Sequence, residues 1–189
     1  MADLNQTIHS SGFAVNAGRR NKAMKIVQIL REHTNGQKRL ALLDIGTGNG
    51  EIAKYLSKLY NVVSVDIVDQ RVVQDGFKFV QVNGEELPFA DQSFDVVVSN
   101  HVIEHMANAD KHLSETGRVL KDGGIVYLAT PNKLWPWEAH NKIYLLHYLP
   151  AATFNRLLKH MGKYREDIYL LTWWTLNQKM KKTYSAHIV

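Results

Sequence analysis

Residues 42–51 read LLDIGTGNGE, and they determine the expected fold. The apolar run that ends at Ile45 is typical of a buried parallel strand. The glycines at 46, 48 and 50 permit a sharp turn into a helix and let a ligand approach the backbone. Because ligands of open α/β sheets bind at the carboxyl ends of strands, we expect a binding site at this turn.

Apolar runs and helical repeats alternate on both sides of this turn. Apolar positions three and four residues apart predict helices over about 19–33, 51–59, 109–120 and 153–161, with a short one at 70–74. Continuous apolar runs predict strands over 40–45, 61–66, 77–82, 94–99, 124–129, 168–173 and 184–189. This alternation indicates an α/β fold with a parallel sheet and helices on both faces.

The composition excludes several classes of protein. Hydrophobic residues make up 45% of the 189 residues and charged residues 22%, which excludes disorder, collagen and coiled coils. The absence of cysteine excludes disulfides, thiolate zinc sites and a cysteine nucleophile. A net charge of +5 permits an anionic partner without requiring one. Because neither a membrane-spanning run nor a signal-peptide pattern is present, we expect a cytoplasmic location.

A carboxylate lies twenty residues after the first glycine of the turn. Asp66 ends the second strand, where it is placed to accept both hydroxyls of a ribose. A dinucleotide fingerprint requires glycine at position 51, which here is Glu51. Asp44 would repel a pyrophosphate but suits an ammonium or sulfonium group. The residues therefore favour S-adenosylmethionine over NAD.

Four stretches, in order, resemble the class I S-adenosylmethionine-dependent methyltransferases. They are DIGTGNG at 44–50, SVDIV at 64–68, VNGEELPFADQSFDVVVSNHVIEHM at 82–106 and RVLKDGGIVYLATPN at 118–132. The resemblance implies a Rossmann-like, doubly wound, mostly parallel seven-stranded sheet with an antiparallel last strand. It also implies S-adenosylmethionine as cofactor and S-adenosylhomocysteine as product. A looser similarity is to methyltransferases of quinone and polysaccharide pathways.

The resemblance places the cofactor-binding residues at the ends of the first four strands. Asp66 would hold the ribose, and Ile67 would pack on the adenine. Asn83 stands where related proteins usually carry aspartate, so its contact with the adenine lacks a charge. Asn100 and His101 would lie under the sulfonium end. The complete set is Asp44, Gly46, Thr47, Gly48, Asn49, Gly50, Asp66, Ile67, Asn83, Gly84, Glu85, Asn100 and His101.

One methyltransferase domain over 1–189 is expected, in four parts. These are an N-terminal arm and helix (1–36), a cofactor-binding core (38–130), an acceptor lid (131–150), and a last helix with two strands (151–189). The lid is long and aromatic, which is typical of functional loops. The alternative is that its aromatic side chains form a satellite core. Arg19 or Arg20 would meet the cofactor's carboxylate, although solvated arginines are more common.

Three histidines, His140, His105 and His101, are candidates for a general base because imidazole titrates near neutral pH. A water, another residue or no base at all are the alternatives. His101, Glu104 and His105 also spell HxxEH, the inverted zinc-protease motif. So short a pattern arises easily by chance, and no metal site is expected.

The predicted reaction is methyl transfer to a small-molecule acceptor, at oxygen, by direct in-line displacement. The alternatives are an RNA or protein methyltransferase, or a regulatory protein that binds the cofactor without catalysis. Lys179, Lys181 and Lys182, near Trp173 and Trp174, offer a weak peripheral-membrane possibility and no clear nucleic-acid site. A solvated edge hairpin is the more common explanation of this run.

Overall fold

Five parallel strands form the central sheet of the computed structural model. They are β1 (Ala41–Ile45), β2 (Asn61–Asp66), β3 (Lys78–Gln81), β4 (Phe94–Asn100) and β5 (Leu120–Ala129). Their order across the sheet is β3-β2-β1-β4-β5. From β1 the chain adds β2 and β3 on one side, and it then crosses over to add β4 and β5 on the other side of β1. The point between β1 and β4 where this direction changes is where ligands bind in this architecture.

The structure describes residues 3–37, 39–84, 86–138, 143–164 and 166–184. It describes side chains from residue 18 onward within these ranges, except those of Trp137, Glu138 and Ile143. The helices are α1 (Asp3–His33), α2 (Glu51–Leu56), α3 (Ala109–Val119), α4 (Ala151–His160) and α5 (Trp173–Thr183). A short antiparallel pair, β6 (Trp137–Glu138) and β7 (Ile143–Tyr144), precedes α4.

Helices cover both faces of the sheet, as the alternation predicts. Neighbouring strand residues point to opposite faces, so Leu42 and Leu43 belong to different cores. On one face, Leu42 packs with Ile26 and Leu30 of α1 and Leu56 of α2. On the other face, Leu43 packs with residues of β2 and β4 and the end of α3. α5 also packs against α3, because its Met180 lies in a small cluster with Leu113 of α3 and with Ile103.

The N-terminal arm is helical rather than irregular. α1 begins at Asp3, sixteen residues before the predicted start at Arg19. The first proline of the chain is Pro88, and Gly12 and Gly18 lower the helix propensity without blocking a helical backbone. A continuous helix is therefore the simplest conformation for this stretch.

The prediction of two final strands is wrong where the structure tests it. Residues 168–172 are irregular, and α5 begins at Trp173. The Thr172 side chain accepts a hydrogen bond from the Thr175 N–H at 3.2 Å, so it caps a helix that lysine, methionine and glutamine continue. The other predicted strand lies at 184–189, almost wholly outside the described residues. In the described part the main sheet has five strands, all parallel, and no antiparallel last strand.

Candidate functional site

The glycine turn lies at the carboxyl end of β1, where the strand ends are level. Ile45 is in register with Val65 of β2 and Ser99 of β4. The residues that follow these strands therefore meet at one edge of the sheet. Gly46 has φ 84° and Gly50 has φ 86°, and a side chain at either would collide with its surroundings. Only glycine fits the turn at these two positions.

Asp44 is buried at the end of β1 within a chain of hydroxyl groups. The Ser64 hydroxyl donates to its carboxylate at 2.6 Å, and the Thr47 hydroxyl donates to Ser64 at 2.6 Å. Burial, and to a smaller extent the charge of Asp66, raise the pKa of Asp44 to about 7 against the opposing hydrogen bond of Ser64. A cation beside this carboxyl would favour its ionised form.

Asp66 reaches across from β2 to the glycine turn. Its carboxylate accepts the Gly48 N–H at 2.9 Å and lies 3.4 Å from the Val68 N–H. Ile67 and Val68, directly after it, are exposed apolar side chains. A carboxylate beside an open apolar surface is the combination that a ribose joined to an adenine requires.

Arg19 of α1 contacts the same turn. Its guanidinium donates to the Asn49 side-chain oxygen at 2.5 Å, and a side chain at Gly48 would lie 3.5 Å from it. Arg19 is half-buried, whereas Arg20 is exposed. The structure therefore places a cation over the turn, and the solvated alternative holds only for Arg20.

The third predicted part of the site lies after β3. Asn83 and Gly84 are exposed there, beyond the buried Val82. Glu85 lies outside the described residues. The structure places Asn83 and Gly84 after β3, the edge strand next to β2, on the same side as Ile67.

Asn100 is the last residue of β4 and His101 follows it, beside the glycine turn. His101 has φ 59°, a left-handed conformation that only a few per cent of non-glycine residues adopt. Its backbone N–H donates to the Ala129 carbonyl at 2.8 Å, and its Nδ1 lies 3.2 Å from Glu104 Oε1. The backbone bond to Ala129 and the contact with Glu104 therefore orient the imidazole, while 37% of the side chain stays exposed.

Glu104 is a completely buried carboxylate that sequence reasoning did not include among the site residues. Besides His101, it accepts the Thr130 hydroxyl at 2.9 Å, and its backbone carbonyl accepts the Tyr169 N–H at 2.7 Å. Burial opposes its ionisation, but hydrogen bonds from His101, its own backbone and Thr130 hold its pKa below the ordinary value. The sequence signal for the contact with His101 was an acid three residues after a histidine. The sequence offered no signal for the contact with Thr130, which is 26 residues away.

The other candidate bases have different positions. His105 Nδ1 lies 3.4 Å from Glu166 Oε1, which is mostly exposed, and His140 lies outside the described residues. In HxxEH, His101 and His105 thus meet different carboxylates, and only His105 of the two lies within the 3-10 turn at Ile103–His105. Among the described residues, no group of three or more metal-ligating side chains is close enough to hold an ion.

A buried histidine, His112, connects α3 to the site strand. Its Nε2 lies 3.0 Å from the Ser99 hydroxyl, one residue before Asn100. Burial lowers the pKa of His112 to about 4, so the ring is neutral at physiological pH. Ser99 and Ser64 were visible in the sequence as polar residues within apolar strands, which is the signal that could have identified both contacts.

The two described parts of the predicted lid, 131–138 and 143–150, contact each other. The His147 ring Nε2 lies 3.0 Å from the Lys133 carbonyl, and the Tyr148 hydroxyl donates to the Leu134 carbonyl at 2.8 Å. A satellite core does form nearby, from Phe154, Leu158 and Ile168 with Leu146, Tyr164 and Leu170 packed against them. Trp135, Tyr144 and Tyr148 are exposed and do not belong to it.

The fold and the site resemble those of a known class of protein. Residues 43–128 match the family model described as a methyltransferase domain, which confirms the predicted resemblance to the S-adenosylmethionine-dependent methyltransferases. That family implies S-adenosylmethionine as the cofactor. No helix in the described part of the chain combines the length and the hydropathy that crossing a membrane requires.

Several curated proteins with similar sequences are named as methyltransferases of quinone biosynthesis. A ubiquinone biosynthesis O-methyltransferase of Brucella anthropi is 30% identical over 127 residues, or 60% of this chain and 51% of the relative. A demethylmenaquinone methyltransferase of Porphyromonas gingivalis is 30% identical over 151 residues, or 70% and 58%. A solved S-adenosylmethionine-dependent methyltransferase of Methanosarcina mazei has a TM-score of 0.60 and 23% identity, covering 78% of this chain and 80% of the other. The chain spans about half the length of the curated relatives it matches.

Proposed function

We propose that the protein transfers the methyl group of S-adenosylmethionine to an oxygen atom of a small aromatic acceptor of the quinone-precursor type. One observation carries the proposal: a glycine turn, the carboxylate of Asp66 and an oriented imidazole meet at one edge of the sheet. Asp66 accepts the Gly48 N–H, and His101 follows the adjacent β4. The names of the curated relatives support the acceptor class.

The residues present fit the cofactor. Gly48 has no side chain to fill the space beneath Arg19, so a ligand can approach the backbone there. Asp66 would hold the ribose, and the exposed Ile67 would pack on the adenine, with Asn83 at its edge. Asp44 would face the ammonium group, which would favour its ionised form. When bound, the cofactor supplies a methyl group that is already activated by the sulfonium.

His101 is the proposed general base. The acceptor hydroxyl would give its proton to the imidazole, and its oxygen would take the methyl group that the bound cofactor supplies, with S-adenosylhomocysteine as the leaving product. Glu104 positions the ring through Nδ1, which directs Nε2 toward the acceptor, and its charge stabilises the imidazolium that forms. Because an activated methyl group needs chiefly alignment, the base is a modest contributor to the rate.

His105 is the second candidate for the base, because part of its ring is accessible and Glu166 lies beside it. His140 stays a prediction, and its exchange for glutamine belongs in the same experiment. If His140→Gln or His105→Gln abolishes turnover while His101→Gln does not, the assignment of the base to His101 is wrong.

Two measurements test the function in sequence. Calorimetry with S-adenosylmethionine and S-adenosylhomocysteine tests binding, and Asp66→Ala should weaken it at least about tenfold because the ribose loses a charged partner. A labelled-methyl screen then compares phenols, quinone precursors, sugars and tRNA. Binding without transfer to any acceptor would favour a regulatory protein, and transfer to tRNA alone would favour an RNA methyltransferase. The absence of binding at millimolar cofactor would refute the proposal.

A further inference from the structure

Exposed aromatic side chains concentrate in one part of the molecule. Among the side chains that the structure describes, every exposed aromatic ring lies between residues 134 and 174. Trp135 is 68% exposed and Trp174 is 61% exposed. The complete set is Trp135, Tyr144, Tyr148, Trp173 and Trp174. Monomeric proteins seldom expose so many large apolar groups close together, so this part of the surface needs an explanation.

Hydrogen bonds join the segments that carry these side chains. The Leu145 N–H donates to the Pro136 carbonyl at 3.1 Å, and the Tyr148 hydroxyl donates to the Leu134 carbonyl. The Lys133 N–H donates to the Leu171 carbonyl at 2.9 Å, which ties this segment to the residues just before α5. Exposed leucines at 134, 145 and 149 lie among the aromatic rings. We call residues 133–136, 144–149 and 171–174 together the aromatic surface.

The positive charge of the protein is concentrated in the same part of the chain. Residues 131–189 contain nine lysines and arginines against three acidic residues, a net charge of +6. Residues 1–130 contain fourteen against fifteen, a net charge of −1. Lys181 and Lys182 are exposed on α5, whose first residues carry Trp173 and Trp174. The charge that the whole composition shows as +5 is therefore local.

We propose that the aromatic surface docks the protein on a bilayer containing anionic phospholipids. Tryptophan and tyrosine prefer the interface between headgroups and acyl chains, and lysines near it are attracted to anionic headgroups. The exposed leucines favour a bilayer over RNA, because stacking on a base uses flat rings and gains little from aliphatic side chains.

The aromatic surface is attached to the candidate site. Thr130, which precedes one segment of it, donates to the Glu104 carboxylate, and Tyr169, which precedes the other, donates to the Glu104 carbonyl. Both segments therefore leave the edge of the sheet beside His101. If the proposed function holds, docking brings that edge close to a membrane-dissolved acceptor, but docking itself does not depend on methyl transfer.

Vesicle co-sedimentation tests the proposal on the full chain. One set of vesicles is phosphatidylcholine alone, and the other contains equal parts of phosphatidylcholine and phosphatidylglycerol. We expect binding to the anionic vesicles that weakens as salt is added, and much weaker binding to the neutral ones. Trp135→Ala with Trp174→Ala, and Lys181→Glu with Lys182→Glu, should each weaken binding at least about tenfold.

Matched control variants lie on α1. Met24→Ala with Ile29→Ala removes exposed apolar groups elsewhere, and Lys22→Glu with Lys25→Glu reverses two exposed charges elsewhere. Both controls should bind vesicles within about twofold of the original protein, since neither pair lies on the docking surface. Circular dichroism verifies that each variant folds, and calorimetry with the cofactor separates a failure of docking from a failure of the proposed function.

Three results would overturn the proposal. The first is no binding to anionic vesicles at high lipid concentration, and the second is equal weakening by the control variants. The third is a different occupant: a dimer in sedimentation velocity that Trp135→Ala with Trp174→Ala dissociates, or tighter binding to a single-stranded RNA oligonucleotide than to anionic vesicles.

Discussion

At the scale of the residue, Asp44 couples the fold to pH. Its pKa is raised to about 7, chiefly by burial, whereas the same carboxyl in the unfolded chain ionises near pH 4. The folded state therefore binds an extra proton between these two values. The free energy of unfolding should decrease as the pH rises from about 4 to 7, and stay low above that range.

Asp44→Asn removes this titration. We expect the variant to be more stable than the original protein at pH 8, by about 4 kcal/mol at most, and to differ little at pH 4. Urea unfolding at several pH values measures the difference. A difference that is the same at every pH would show that Asp44 is not the group responsible. The variant should also bind the cofactor more weakly, since the ammonium loses its anionic partner.

Glu104 gives a second prediction for a single residue. Glu104→Gln keeps the shape of the side chain but removes the charge that would stabilise a protonated His101. We expect kcat to fall about 10- to 100-fold with little change in KM, since the base acts in the transition state.

Thr130→Val is the matched control for Glu104, because it removes one hydrogen bond to the same carboxylate and leaves the charge in place. Its effect on kcat should be several times smaller. Nitrogen NMR of the imidazoles, assigned with His101→Gln, should show Nδ1 of His101 protonated in the original protein and the preference weakened in Glu104→Gln. An unchanged tautomer would contradict the positioning role without bearing on the methyl-transfer proposal.

At the scale of the element, the turn between β1 and α2 depends on the absence of side chains. A side chain at Gly50 would lie 2.2 Å from the Val73 carbonyl oxygen. At Gly123, which has φ 74°, a side chain would meet nothing within 4 Å. Gly50→Ala should therefore cost at least about 3 kcal/mol in unfolding free energy, and Gly123→Ala about 1 kcal/mol. Urea unfolding of both variants gives the comparison, and equal losses would mean that the turn relaxes around the added methyl group.

The elements also show why part of the fold could be predicted and part could not. The first, second and fourth strands were predicted within a residue or two, because a buried parallel strand is a continuous apolar run. The segment 168–173 was predicted as a strand because it is a mostly apolar run. The Thr172 cap and the contact of Met180 with the α3 region favour the helix that begins there instead.

The site divides in the same way. The glycine turn and Asp66 are local patterns that fix backbone geometry, and both were recognised from the sequence. Glu104 and Arg19 act through partners 26 and 30 residues away in the chain, Thr130 and Asn49. Such contacts exist only after the sheet has formed, so a linear pattern contains no signal for them.

At the scale of the whole molecule, the cofactor should stabilise the fold. Its proposed partners lie on α1, the glycine turn, β2 and the residues after β3, so a bound molecule would connect elements that otherwise meet only through the sheet. Cofactor at a hundred times its Kd should add about 2.7 kcal/mol, and raise Tm by roughly 5–10 °C. Differential scanning calorimetry measures the shift. Asp66→Ala, with its affinity weakened at least about tenfold, should show at most about half of this shift at the same concentration. An equal shift in that variant would contradict the ribose assignment.

Glu104 accepts hydrogen bonds from both segments that lead into the aromatic surface, and it also orients His101. The buried Glu104 carboxyl therefore connects the aromatic surface to the His101 imidazole through hydrogen bonds. A shift of Thr130 or of the Tyr169 backbone on contact with lipid would move a hydrogen bond on Glu104. The rate at which His101 accepts a proton should therefore depend on whether a vesicle is present. The protein would then work as an interfacial catalyst, and its turnover would follow the lipid surface area rather than the acceptor concentration alone.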